Sequence, residues 1–170
     1  MKAKLFLILS LTALASLLLV TAAGAKSIKQ PDKSALARVR RATAGFKQPS
    51  GAMAAGYGLV PGLDACFDNP GVGGMGYHYI NTDLLDTKLN PLTPEAMVYS
   101  STPEGRLKLG AVEYIVPAAL WDQDHSEPPM VLGQHLHLNP ALGVYILHAW
   151  IWRYNPSGIF QDWNPMVSCP

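Results

Sequence analysis

The spacing of apolar positions changes character along the chain, and each change predicts a different kind of element. Residues 5–20 form a nearly unbroken apolar run. Across 32–46, Leu36, Val39, Thr43 and Phe46 recur at steps of three and four, the spacing of one helix face. Asp32 or Ser34 can cap that helix by accepting from free backbone N–H groups, and Gly45 helps to end it. A second short helix is predicted over 50–55, closed by Gly56. Both helices read as an appendage to the region beyond Tyr57. There the chain turns to short alternating runs punctuated by proline and glycine. Strands are predicted at 75–81, 96–100, 106–116, 130–138 and 143–152, the last being richest in β-branched and aromatic residues. Thr93-Pro94-Glu95 offers an alternative for the second strand, as a helix start. The chain therefore reads as α+β, with N-terminal helices followed by a mostly antiparallel β-sheet or β-sandwich domain. The predicted boundaries are 1–25 for the signal peptide, 26–57 for a basic helical segment and 58–170 for a β-rich domain, which forms one compact domain with the helices.

The first segment changes the picture most. Lys2 and Lys4 precede the apolar run, and Ala23-Gly24-Ala25 follows it, the order of parts in a secretory signal peptide. The competing reading is an uncleaved anchor, but Ser10, Thr12 and Ser16 interrupt the run and small residues stand at the cut site. Cleavage after Ala25 predicts a mature protein outside the cytoplasm with no stable membrane anchoring. Without Lys2 and Lys4 the chain has 11 basic and 12 acidic residues. Seven of those basic residues fall in 26–47, against Asp32 alone, while 48–170 holds four basic and eleven acidic. A basic helix can touch nucleic acid or anionic lipid. Export argues against a nucleic-acid partner, and a solvated helix face complementing an acidic body is the expectation.

Export also bears on the two cysteines, Cys66 and Cys169. In an oxidising compartment such a pair is expected to form a disulfide. It would tie the C-terminus to the start of the β-rich region. Cys-x-x-Cys spacing is absent and no histidine lies close in sequence to either, so thiol metal ligation has no support.

Strand alternation sorts the polar residues by face. On 106–116, Glu113 shares a face with Leu107, Leu109, Ala111 and Ile115. On 143–152, His148 shares one with Val144, Ile146, Trp150 and Trp152, and His78 stands between Gly76 and Ile80. Each interrupts an apolar face, where an unpaired polar group is costly to bury. Two imidazoles and a carboxylate are a common ligand set for zinc or another divalent transition metal. The same three can instead form a polar network that fixes strand register. His135 and His137, two apart on a strand, are the alternative metal pair, set opposite an apolar face of Met130, Leu132, Leu136 and Leu138. Gly133-Gln134-His135-Leu136-His137 opens like a cupin metal motif, but no glutamate occurs within residues 138–142. Gly71 to Gly76 lacks the lysine of a phosphate loop and reads as a turn admitting close backbone approach. No Gly-x-Ser-x-Gly occurs. Asp122, Asp124, His125 and Glu127 read as a solvated acidic loop.

Three further motifs carry a resemblance. They are Gly74-Met75-Gly76-Tyr77-His78-Tyr79, then Val112-Glu113-Tyr114 with Leu147-His148-Ala149-Trp150, and finally Asn155-Pro156-x-Gly158-x-Phe160-x-Asp162-Trp163-Asn164-Pro165-x-Val167-x-Cys169. From residue 66 onward the chain resembles a family of small exported, uncharacterised bacterial proteins. The resemblance implies export but no activity. The residues themselves therefore lead to two expectations. One is a small exported binding or structural module with a buried His/Glu cluster, and the other is a metal-dependent enzyme, hydrolytic in the simplest case, using that cluster.

Overall fold

A computed structural model describes residues 32–170; the predicted signal segment and Lys26 and Lys29 lie outside them. Helix α1 (Lys33–Ala42) starts where Asp32 accepts from the Ser34 N–H at 2.8 Å, and a single 3-10 turn leads to α2 (Pro49–Ala54). The strands come next: β1 (Gly58–Leu59), β2 (Phe67–Asn69), β3 (Gly73–Ile80), β4 (Ala96–Ser101) and β5 (Leu107–Pro117). After the one-turn helix α3 (Ala118–Trp121) come β6 (Met130–Val131), β7 (Gln134–His135), β8 (His137–Asn139) and β9 (Val144–Ala149). Seven strands form one antiparallel sheet, ordered β1-β3-β4-β5-β9-β8, with β2 paired to the outer edge of β3. It is a single sheet rather than a sandwich, and only the hairpin of β6 and β7 lies apart from it.

The helices are not an appendage. Val39 and Ala52 are fully buried among Tyr79, Met97, Tyr99, Val112, Tyr114 and Leu147, so α1 and α2 cover one face of the sheet. The Tyr99 hydroxyl donates to the Phe46 carbonyl at 2.7 Å, and the Trp152 indole donates to Thr43 at 3.0 Å, locking that layer in place. Arg40 and Lys47 lie over the Trp152 ring, 4.8 and 5.3 Å from its centroid, so part of the basic face packs on an aromatic rather than against a carboxylate.

Several boundaries differ from expectation for identifiable reasons. Residues 93–95 start no helix; they lead straight into β4. In β5 the register jumps from Val98↔Ala111 to Tyr99↔Leu109, and the extra residue Gly110 is a β-bulge that resets the alternation. Leu107 and Leu109 therefore join the helix-covered face and leave Glu113, Ala111 and Ile115 on the other. Strand β9 ends at Ala149, and Trp152 crosses to the helix side with them. Residues 130–138 are not one strand. Leu132 and Gly133 both take positive φ, 53° and 73°, and make the tight turn between β6 and β7. Val131 and Leu136 go inside, while Met130 and Leu138 are about half exposed.

The uncovered face of the sheet receives the C-terminal segment. Gly74 and Asn164 exchange backbone hydrogen bonds at 3.1 and 3.0 Å, and a Cβ on Gly74 would stand 2.8 Å from Val167. Gly76, at φ 107°, passes so close to the Tyr99 carbonyl that only glycine fits. Gly71 lies in the turn between β2 and β3, as expected, while Gly73 and Gly74 in β3 admit the chain end and Gly76 admits β4. The Cys66–Cys169 disulfide closes the arrangement, joining residues 103 apart.

Candidate metal centre

The three residues that interrupt the apolar faces meet on that second face. Glu113 and His148 are direct cross-strand partners of β5 and β9. His78 lies on β3, two strands from Glu113, and reaches it diagonally across β4. Ala96 and Ala111, both fully buried, leave the room for that approach. Strands spaced about 4.8 Å apart put β3 and β5 about 10 Å from each other, a span that only long side chains over small neighbours can close.

His78 Nε2 stands 3.2 Å from His148 Nε2, 3.6 Å from Glu113 Oε2, and His148 Nε2 stands 3.7 Å from Glu113 Oε1. One donor atom from each residue lies within 4.8 Å of the others. All three side chains are buried, His148 completely. Asp162 completes the arrangement from the C-terminal segment, its Oδ1 accepting from His148 Nδ1 at 3.0 Å. Its Oδ2 lies 2.9 Å from His137 Nε2. With Asp162 accepting at Nδ1, a neutral His148 holds its proton there, and the Nε2 lone pair faces His78 and Glu113.

Charge and burial act on each group differently. Burial, then the charge of His148, drives His78 down to about 3, so this imidazole is neutral throughout the physiological range. Burial also raises the Glu113 carboxyl, against the opposing pull of His148. For His148, burial acts downward, but the Glu113 charge and the hydrogen bond to Asp162 outweigh it and leave its pKa raised. Burial opposes ionisation of Asp162 too, yet the hydrogen bond and charge of His148, with His137 beyond it, hold its pKa below the usual value. His78 Nδ1 is buried without a hydrogen-bond partner.

The residues of the alternative pair have separate partners. His135 is exposed, with Nδ1 3.3 Å from the Pro128 carbonyl, and His137 is engaged by Asp162. Leu136 between them is buried while both histidines are exposed. The acidic loop keeps to the surface, where His125 stacks on Trp121 at 3.7 Å and Asp122 accepts from Tyr145 at 2.9 Å.

Asp162 has no sequence signal of its own, since it belongs to no periodic pattern. What positions it is a pair of asparagine turns. Asn155 Oδ1 accepts from the Ser157 N–H and Asn164 Oδ1 from the Met166 N–H, while their amides donate to the Trp163 and Tyr154 carbonyls. The Trp150 indole donates to the Gln161 carbonyl at 2.6 Å, one residue before Asp162. The Asn-Pro motifs thus build a rigid loop that delivers one carboxylate to His148.

A cavity of about 290 Å³ opens beside the cluster. His78 and Glu113 are the only ionisable groups lining it, among residues that are otherwise almost all apolar. Comparison with protein-family models, with curated proteins and with solved structures finds no match.

Proposed function

We propose that the protein binds a divalent transition metal, zinc being the natural candidate, through His78 Nε2, His148 Nε2 and a Glu113 oxygen. The observation that carries this reading is the donor spacing. Metal–nitrogen and metal–oxygen bonds of about 2.0–2.2 Å in a tetrahedral site put donor atoms about 3.3 Å apart. His78 Nε2 and His148 Nε2 are 3.2 Å apart, but their near approaches to Glu113 are to different oxygens, 3.6 Å to Oε2 and 3.7 Å to Oε1. Taking one donor atom from each residue, all lie within 4.8 Å, so a cation would draw a single Glu113 oxygen inward. A hydrogen-bonded network accounts for the first contact, but it leaves Glu113 beyond hydrogen-bond distance of both imidazoles. A cation between the three would compensate that buried carboxylate more fully than its two long contacts with the imidazoles do.

The surroundings suit a metal as well. Asp162 orients His148 as an outer carboxylate orients a zinc-bound histidine. Three protein ligands beside a cavity leave a coordination position for a further ligand, the feature that separates reactive zinc sites from purely structural ones.

Equilibrium dialysis against zinc, followed by elemental analysis, tests the reading. One zinc per chain is expected for the unaltered protein and none for His148→Ala. Zinc should also raise the thermal midpoint of the unaltered protein, by mass action on the folded state, and a chelator should reverse it. Uptake that is unchanged in His148→Ala would overturn the assignment.

A further inference from the structure

The cavity beside the cluster is shaped for one class of molecule, and its assignment rests on the proposed metal centre. Its walls come from Phe67, Ile80, Ile115 and Ile146 on four strands of the sheet, and from Leu142 and Trp163 in the loops. Leu142 on the cavity wall is half exposed. An apolar cavity of about 150 Å³ accommodates benzene. At about 290 Å³ this one has room for about twice that, or 10–12 non-hydrogen atoms. His78 and Glu113 are the only ionisable groups on the wall, so one part is built to receive a polar head and the rest an apolar tail.

The kind of head group is set by the metal centre. Two neutral imidazoles and one carboxylate around a divalent cation leave +1 on the metal and its ligands, offset by Asp162 behind His148. What selects the head group is the open position on the cation, which takes a carboxylate oxygen and finds no lone pair on a protonated amine. Without the metal, Glu113 would repel the same anion. We infer that the cavity binds a medium-chain carboxylate of about eight carbons, with its carboxylate on the metal and its alkyl chain along Ile80, Ile115 and Ile146.

The experiment is a calorimetric titration of zinc-loaded protein, with zinc content measured on the same sample, against acetate, butanoate, hexanoate, octanoate and octylamine. Affinity is expected to rise about fourfold per methylene up to octanoate, from the transfer of each methylene out of water. Decanoate, added to the series, should gain nothing over octanoate as the cavity fills. Octylamine should bind at least tenfold more weakly than octanoate, and removal of zinc should abolish octanoate binding. Val144→Phe narrows the cavity without replacing a ligand, and should lower octanoate affinity at least tenfold while zinc content stays at one per chain. Zinc uptake with no dependence on chain length would overturn this inference and leave the metal centre standing. Equal octanoate binding with and without zinc would overturn the metal-headed mode, and failure to take up zinc would overturn both.

Discussion

His148 touches every other member of the cluster, and its two nitrogens do different work. Nδ1 is committed to Asp162 at 3.0 Å, which frees Nε2 to face His78 and Glu113. Asp162→Asn removes the charge that fixes that tautomer, and zinc affinity is expected to fall 10–100-fold, as for other outer-shell partners of zinc histidines. Competition dialysis against a chelator of known affinity measures the change; an unaltered affinity would show that Asp162 does not position His148. Protons compete with the metal at the same nitrogen. The folded pKa of His148 is raised, so its protonated form persists to higher pH than in a free histidine. A histidine must be neutral to ligate, so as pH drops zinc affinity begins to fall above the ordinary histidine value of 6.5, and it recovers at higher pH. His78 contributes little to that slope, because burial keeps it neutral down to about 3. These residues were legible in the sequence because each interrupts an apolar strand face, and alternation carries that information. Asp162 was not, because its position depends on two asparagine turns whose hydrogen bonds have no periodic signature.

At the scale of elements, the lead-in to β4 carries a buried carboxyl with a different role. Glu95 is 2% exposed, and its Oε2 accepts from the Ile115 N–H at 3.0 Å. Burial raises its pKa from 4.5 to about 7. Between those values the folded chain holds a proton that the unfolded chain has lost. Stability from this residue is therefore complete below pH 4.5 and declines as pH rises toward 7, by at most about 1.4 kcal/mol per pH unit. Denaturant unfolding should show Glu95→Gln to have a flatter stability profile from pH 5 to 7, and an unchanged slope would assign the pH dependence elsewhere. Element identity was largely readable: a helix near 32–46 and strands near 75–81, 96–100, 106–116 and 143–152 all have counterparts in the fold. What alternation misjudged was continuity. One extra residue at Gly110 sends Leu107 and Leu109 to the opposite face, and a two-residue turn breaks 130–138 into separate strands. Both are local backbone decisions that an apolar count does not register.

For the molecule as a whole, the sheet divides two functions. One face is sealed by α1 and α2 around Val39, Ala52 and Tyr99 and supplies most of the core. The other carries the cluster, roofed by the loop from Val60 to Phe67 and by the C-terminal segment. Both roof segments end in a cysteine region, and the Cys66–Cys169 bond fastens them to each other. Closing a loop of this length stabilises by about 4–5 kcal/mol in the chain-entropy model. Reduction is expected to lower the denaturation midpoint and to loosen the segment that presents Asp162, so zinc affinity should fall with it. Retained midpoint and affinity under full reduction would separate the bridge from the site. Among the described residues no helix is long and apolar enough to cross a membrane. The apolar run at residues 5–20 and the expectation of export rest on the sequence before Asp32.

The central claim is that two histidines and one glutamate, brought together from three strands, hold one cation. Anomalous diffraction at the zinc edge from a crystal of the zinc-loaded protein tests it most directly. A single strong peak is expected about 2.0–2.2 Å from His78 Nε2, His148 Nε2 and a Glu113 oxygen. No peak there, with His78 and His148 still 3.2 Å apart as they are now, would contradict it and leave a hydrogen-bonded polar core in its place.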